Sequence, residues 1–304
     1  MEKLDLTLSG VVIVNKGEGL SSQAVVNRVK RIFGISKAGH TGTLDPLATG
    51  VLPVLVGRAV KASEFMLTSD KHYRATLLLG ITTDTEDITG EVLTRSELVP
   101  SDDEVIAAAK SFIGDSMQVP PMYSAIKVGG AKLYELARRG EVIEREARKI
   151  TVHSLTCTPI GNREYILDVH CSKGTYIRTL LADIGAKLGT GGVMKTLCRT
   201  EASGYTLDRA HTLEELEAMS DDEKIALVRP TSEIFAKHPS VMLSDFFSRL
   251  AHAGQEIYLK KIGASFDVGA MVRLEDASGF FAIGEVREFE NGLAIKPIRQ
   301  FGKL

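Results

Sequence analysis

Strand-like and helix-like stretches follow one another along this chain in no repeating order, and that irregularity constrains its fold more than any other feature. Apolar runs suited to strands occupy residues 10–14, 51–56, 73–79, about 149–159, 164–172 and 193–200. Stretches with helical spacing lie between them. From 22 to 33, Val25, Val26, Val29, Ile32 and Phe33 fall on one face, and Gly34 stops the helix. Ser101-Asp102-Asp103-Glu104 reads as a capping box opening a helix through Phe112. Residues 131–139 suggest a short basic helix. Over 175–188 the inward positions are Ile177, Leu180, Leu181 and Ile184. A regular βαβ array would alternate its elements; this order predicts an α+β domain instead.

The texture changes near 230–240. After Pro230 and Pro239 come one short amphipathic helix, 244–253, and short β-runs separated by glycine at 271–274, 281–286 and 293–297. We therefore expect a large domain over 1–236 and a small β-rich domain over 237–304. A chain of 304 residues, 44% hydrophobic, buries a full core without covalent staples. Its three cysteines, Cys157, Cys171 and Cys198, are far apart and form no CxxC pair, so neither a disulfide framework nor a zinc site is indicated. No basic run followed by an apolar stretch opens the chain, and no stretch approaches 18 uninterrupted apolar residues, the length of a membrane helix. A cytoplasmic protein without a signal peptide is the expectation.

The formal net charge is −2, which by itself argues weakly against nucleic acid, but the charge is uneven. Residues 1–74 carry ten Lys/Arg and six Asp/Glu, residues 123–149 seven and four, and residues 201–237 four and nine. A basic face on a nearly neutral chain fits an anionic partner chosen specifically. It fits uneven surface charge without a partner equally well.

The sharpest local segment is Gly39-His40-Thr41-Gly42-Thr43-Leu44-Asp45-Pro46-Leu47-Ala48-Thr49-Gly50. It has no periodicity, so residues 38–50 are read as a loop. Its three glycines permit close approach of a backbone or ligand. Pro46 restricts Asp45 to an extended conformation and so aims its carboxylate. An isolated Asp-Pro pair is more often a turn or a helix cap; the composition of the whole loop points to chemistry.

The segment from His40 to Pro53 resembles the catalytic motif of the TruB-type tRNA pseudouridine synthases. Further matches follow in family order over residues 10–204. They are Asn15-Lys16-Gly17 with Gly19-Leu20-Ser21-Ser22, Lys71-His72-Tyr73, and Gln118-Val119-Pro120-Pro121-Met122-Tyr123-Ser124-Ala125. Lys173-Gly174-Thr175-Tyr176-Ile177-Arg178 and Leu197-Cys198-Arg199-Thr200, leading to Ser203-Gly204, complete the set. One departure is visible: the family usually has Lys-Pro where this chain has Lys16-Gly17, which loosens the turn but keeps the lysine.

The resemblance implies a pseudouridine synthase fold with a mixed, mainly antiparallel central sheet and a PUA-like C-terminal domain. It implies conversion of uridine 55 in the T loop of tRNA to pseudouridine by base flipping; that isomerisation gains no atoms and so needs no cofactor, and no His/Asp/Glu/Cys set at ligand spacing near His40 suggests a metal. Asp45 would be the catalytic carboxylate, Arg178 would fix its direction and charge, and Tyr73 would stack on the target base, the usual device for a splayed nucleotide. Tyr176 and Leu197 would line the pocket. His40 would fill the space the flipped base vacates, although a histidine between Gly39 and Thr41 could equally cap a turn. Lys16 would support the loop. Residues 123–149 resemble an insertion that closes over RNA, where Arg138 and Arg139, with Lys127, Lys132, Arg148 and Lys149, would meet phosphates. Tyr73, Arg178 and Leu197 in isolation would each read as an ordinary strand, helix or core residue.

Three other readings compete. A relative that works in a guide-RNA complex would need protein partners; the continuous tRNA-type motifs favour a stand-alone, monomeric enzyme acting on tRNA without a membrane. An RNA chaperone without catalysis is opposed by intact Asp45, Tyr73 and Arg178. A metabolic enzyme would carry a phosphate or dinucleotide loop, and no GxGxxG or Walker motif is present.

Overall fold

The computed structural model describes residues 8–124, 126–128, 130–137, 139–141 and 143–302. Its centre is a ten-stranded sheet. The order across it is Arg229–Pro230, Gly10–Lys16, Thr49–Val56, Gly192–Ala202, Lys71–Leu79, Glu164–Cys171, Arg148–Gly161 and Gly114–Gln118, with Ala38–His40 and Tyr205–Thr206 attached at the side. Every pairing in this sheet is antiparallel but one: Thr49–Val56 runs parallel to Gly192–Ala202, matching Thr49 to Cys198 and Gly50 to Arg199. This is the mixed, mainly antiparallel sheet expected of an α+β fold.

Side-chain alternation decides what each strand packs against. Along Lys71–Leu79, residues Tyr73, Ala75, Leu77 and Leu79 are buried while Arg74 faces water, the period-two pattern of a half-covered sheet. Gly10–Lys16 and Thr49–Val56 are instead buried on both faces. One face of these strands meets the helix Ser22–Ile32 through Val25, Val26 and Val29. The other packs Val11, Ile13, Val51 and Leu55 on Ala59, Met66 and Tyr205. Each such aliphatic side chain stabilises the fold by roughly 1.5–3 kcal/mol when fully buried. The helix Ile177–Lys187 lies on the sheet through Leu180, Leu181 and Ile184. It approaches so closely that a methyl at Gly185 would come 2.3 Å from the Gly192 nitrogen.

Most predicted elements form, with ends shifted by one to three residues, and the capping box at Ser101 and Glu104 is present in both directions. Two expectations are corrected, and two helices are added. Ala38–His40 is a strand paired with Thr49–Val56, so the loop proper is shorter than 38–50; three residues are too few for periodicity to register. The basic helix shrinks to Leu133–Ala137 behind a small hairpin, Lys127–Val128 with Ala131–Lys132. The acidic stretch after 210 holds two short helices, Leu213–Ala218 and Asp221–Leu227, which were not foreseen. Both open with capping boxes, Thr212 with Glu215 and Ser220 with Glu223, a signal that the sequence carried.

Beyond Pro239 a separate five-stranded sheet forms in the order Ser240–Met242, Met271–Asp276, Gly279–Phe289, Gly292–Gln300 and Ile257–Tyr258. Its own core includes Leu243, Val272, Leu274, Phe281 and Ile295. It joins the larger unit through a cluster of Ala62, Phe235, Ile283 and Phe301. There the Phe65 and Phe235 rings meet edge to face with centroids 5.1 Å apart. Among the described residues, no helix is long and apolar enough to cross a membrane.

Candidate active site

The loop between His40 and Thr49 turns back over the sheet, and buried polar side chains hold it there. Lys16, 0% exposed, donates from Nζ to the carbonyls of Gly17 at 2.9 Å, Pro46 at 3.2 Å and Ala48 at 2.5 Å. Three acceptors match the three protons of an ammonium. Burial, the largest influence, lowers the Lys16 pKa to about 8, against the pull of the Asp45 charge. Ser22 Oγ donates to the Leu44 carbonyl at 3.0 Å and accepts from the Leu44 N–H at 2.8 Å. From the opposite side Arg199, 1% exposed, donates from Nε to Val51 O at 2.8 Å and from Nη2 to Gly42 O at 3.2 Å. Gly50 leaves the loop at φ +99°, and a Cβ there would sit 2.3 Å from the Arg199 carbonyl, so only glycine fits.

These anchors hold Asp45 against the start of the helix Ile177–Lys187. Arg178 Nε lies 3.0 Å from Asp45 Oδ2. The same guanidinium donates to Thr85 O at 3.0 Å, to Tyr123 O at 2.7 Å and to Asp87 Oδ2 at 3.4 Å. The Arg178 and Asp87 side chains are 6% and 7% exposed, whereas Asp45 is 36% exposed. Asp45 is thus the member of the triad that an incoming molecule meets. Burial pushes its carboxyl above the ordinary value; Arg178 opposes that shift and the Asp87 charge adds to it. Asp87 is fixed in turn by the Thr85 hydroxyl at 2.9 Å and by the Thr89 N–H and hydroxyl at 2.9 and 2.5 Å. Gln118 clamps the backbone ahead of Arg178, accepting from the Tyr176 N–H at 2.8 Å and donating to the Tyr176 carbonyl at 3.1 Å.

Tyr73 and Leu197, each 8% exposed, share one apolar cluster with Leu44, Ala48 and Ile177 beside this triad. Burial raises the Tyr73 pKa, with the Arg199 charge opposing, and the Tyr176 phenol is likewise raised by burial. Both phenols are near enough to feel the charge of Asp45. The structure therefore brings together Lys16, Asp45, Tyr73, Tyr176, Arg178 and Leu197. His40 lies at the edge of the group, on a strand rather than in the loop, and its Nδ1 accepts from the Gly42 N–H at 3.3 Å, which is the turn-capping alternative. Burial and the Arg199 charge lower its pKa. Arg139 lies apart in the insertion, 3.2 Å from Glu141 and exposed; Arg138 falls outside the described residues. Asp87 and Arg199 were not singled out in the sequence. Arg199 lies within Leu197-Cys198-Arg199-Thr200, where nothing in the sequence marks its role, and Asp87 in a polar stretch of turn-forming residues.

Comparison with known proteins gives two family matches: the TruB family pseudouridylate synthase N-terminal domain over residues 30–177, and the tRNA pseudouridylate synthase B C-terminal domain over 178–252. A tRNA pseudouridine synthase B from Alkaliphilus oremlandii (strain OhILAs) is 47% identical over 251 residues, covering 83% of both chains. One from Saccharophagus degradans (strain 2-40) is 46% identical over 297 residues, covering 92% of this chain and 93% of the relative. Among solved structures, a Cbf5-Nop10-Gar1 complex contains a chain with a TM-score of 0.73 and 25% identity, covering 98% of this chain and 86% of that one.

Proposed function

Because this chain belongs to the TruB family of pseudouridylate synthases, we propose that it acts on uridine 55 in the T loop of tRNA, with Asp45 as the catalytic carboxylate. Its activity as a tRNA uridine isomerase follows from the named relatives. The observation that supports the finer reading is the Arg178–Asp45 contact at 3.0 Å, beside buried Tyr73, on a carboxylate still open to solvent.

The reaction breaks the bond from ribose C1′ to uracil N1, rotates the base, and joins C5 to C1′. The C5 proton leaves and N1 gains one, so no group enters or departs. A uridine held inside an RNA loop must first be extruded. In this reading Tyr73 and Leu197 form the apolar wall for the flipped ring, Tyr176 closes its side, and His40 occupies the space the base leaves. Asp45, ionised, acts at the sugar as nucleophile or base. Arg178 keeps that charge in place where desolvation alone would favour protonation, and Asp87 keeps Arg178 oriented. Lys16 and Arg199 hold the loop rigid, which lowers the cost of aligning Asp45 in each turnover.

We assign residues 1–236 to the catalytic unit and 237–304 to a PUA-like RNA-binding unit, and we read the protein as a cytoplasmic monomer that needs no protein partner. Arg138 and Arg139 would meet phosphates of the bound tRNA. The test is tritium release from tRNA transcripts labelled at uridine C5, comparing the native chain with Asp45→Asn. About one equivalent released by the native chain and none by the variant is expected, since the carboxylate is required in every path. No release by either, with tRNA still bound, would favour the chaperone or partner-dependent reading.

A further inference from the structure

On the sheet, the strand bearing Tyr73 also carries His72, whose side chain points away from the buried core. Antiparallel pairing sets His72 directly opposite His170 on the strand Glu164–Cys171, and the two rings stack with centroids 3.9 Å apart. The next strand, Arg148–Gly161, adds a third imidazole through a bulge. Val152 pairs with Cys171 and Ser154 with His170, so His153 is the extra residue between them. Val152 and Leu155 remain buried while His153 and Ser154 are both outward. A bulge is a common means of re-aiming a side chain; here it turns His153 toward His170, with ring centroids 4.6 Å apart. Asp70, just ahead of the central strand, reaches the same point: its Oδ2 lies 3.2 Å from His153 Nε2 and 3.9 Å from His170 Nε2.

One potential ligand atom from each of Asp70, His153 and His170 thus lies within 4.8 Å of the other two. Donors around a tetrahedral zinc ion at its usual bond lengths are about 3.3 Å apart, so binding requires the more distant donors to draw together by side-chain rotation. Two imidazoles and one carboxylate suit zinc and its divalent first-row neighbours better than magnesium or calcium, which prefer all-oxygen shells. Three protein ligands leave a fourth position to water or an external ligand. Two of the donors, His153 and His170, come from adjacent strands, and Asp70 sits one residue before the strand Lys71–Leu79 that pairs beside them, a better platform for a fixed geometry than a free surface loop.

We propose that Asp70, His153 and His170 form a binding site for a divalent transition-metal ion, zinc being the best match, on the outer face of the sheet next to the Tyr73 strand. This site does not depend on the catalytic role of Asp45, and its test needs no RNA. The untagged chain is stripped with chelator and dialysed against zinc, and bound metal is measured beside the thermal midpoint. One equivalent of zinc per chain and a raised midpoint are expected for the native protein. His153→Ala with His170→Ala loses the equivalent and the zinc-dependent rise, and Asp70→Asn weakens binding at least tenfold. Circular dichroism of the metal-free variants, matched to the native chain, separates loss of ligands from loss of fold. No bound zinc in the native chain, or an undiminished equivalent in the folded double variant, would overturn the proposal.

Discussion

Arg178 stands between two carboxylates that it does not treat alike: Asp45 at 3.0 Å, partly exposed, and Asp87 at 3.4 Å, buried. The guanidinium is satisfied on its other side by the carbonyls of Thr85 and Tyr123. Such a group has one orientation, and it presents a fixed positive charge to Asp45 before any substrate arrives. Pre-set electrostatics of this kind costs little reorganisation during reaction.

Asp45→Ala is expected to reduce turnover by roughly a thousandfold or more, the scale of losing a positioned acid–base or nucleophilic group. Binding of tRNA should stay within a few-fold. Single-turnover rates and filter-binding constants measured on the same variant separate the two, and a variant with normal turnover removes Asp45 from its role.

Arg178→Lys should fail nearly as badly as Arg178→Ala, since an ammonium cannot serve Asp45, Asp87 and two carbonyls at once. Leaving Asp87 buried without its partner should also cost stability, on the order of 3 kcal/mol. Urea midpoints report the second effect. Arg178→Lys with native turnover would show that the planar fork is dispensable.

The acid limb of activity should lie above the ordinary carboxylate range. Burial raises the Asp45 pKa, so the active, ionised form is lost as pH falls through that raised value. The limb should move further upward in a variant that weakens Arg178, because the stabilising charge is then gone. A pH profile of kcat/KM for both proteins checks this.

Lys16 predicts opposite trends on the alkaline side. Its amine titrates at 10.5 when unperturbed and at about 8 here. Between those values the unfolded chain binds the extra proton, so stability rises with pH over that interval and this contribution is lost as pH falls through about 8. At 1.36 kcal/mol per unit the whole effect is at most about 3.5 kcal/mol. Activity should fall over the same range, because the neutral amine holds the carbonyls of Pro46 and Ala48 less firmly. Denaturation of the native chain and Lys16→Met across pH, beside kcat, tests both directions.

Neutralising Arg138 and Arg139 together should weaken tRNA binding and lower the slope of log affinity against log salt by about one to two, as expected when each phosphate contact is lost. An unchanged slope would place both outside the interface.

Local sequence determined most of the elements. Apolar runs marked the strands around Val12, Tyr73 and Leu167, helical spacing marked the helix of Val25 and Val29, and Ser101 with Glu104 marked a helix start that formed as written. The motif around Asp45, read with Arg178 far along the chain, pointed to the reaction. The histidines and Asp70 carried no signal of their own, because His153 meets His170 only through a bulge in strand pairing. Asp87 and Arg199 were equally silent: they lie 42 and 154 residues from Asp45 in the sequence, and a buried charge is identified by its partners, not its neighbours. Periodicity is a property of adjacent residues and survives in any fold that buries one face. Which distant groups share a charge, a proton or a ligand depends on strand order and register, and only the tertiary structure sets those.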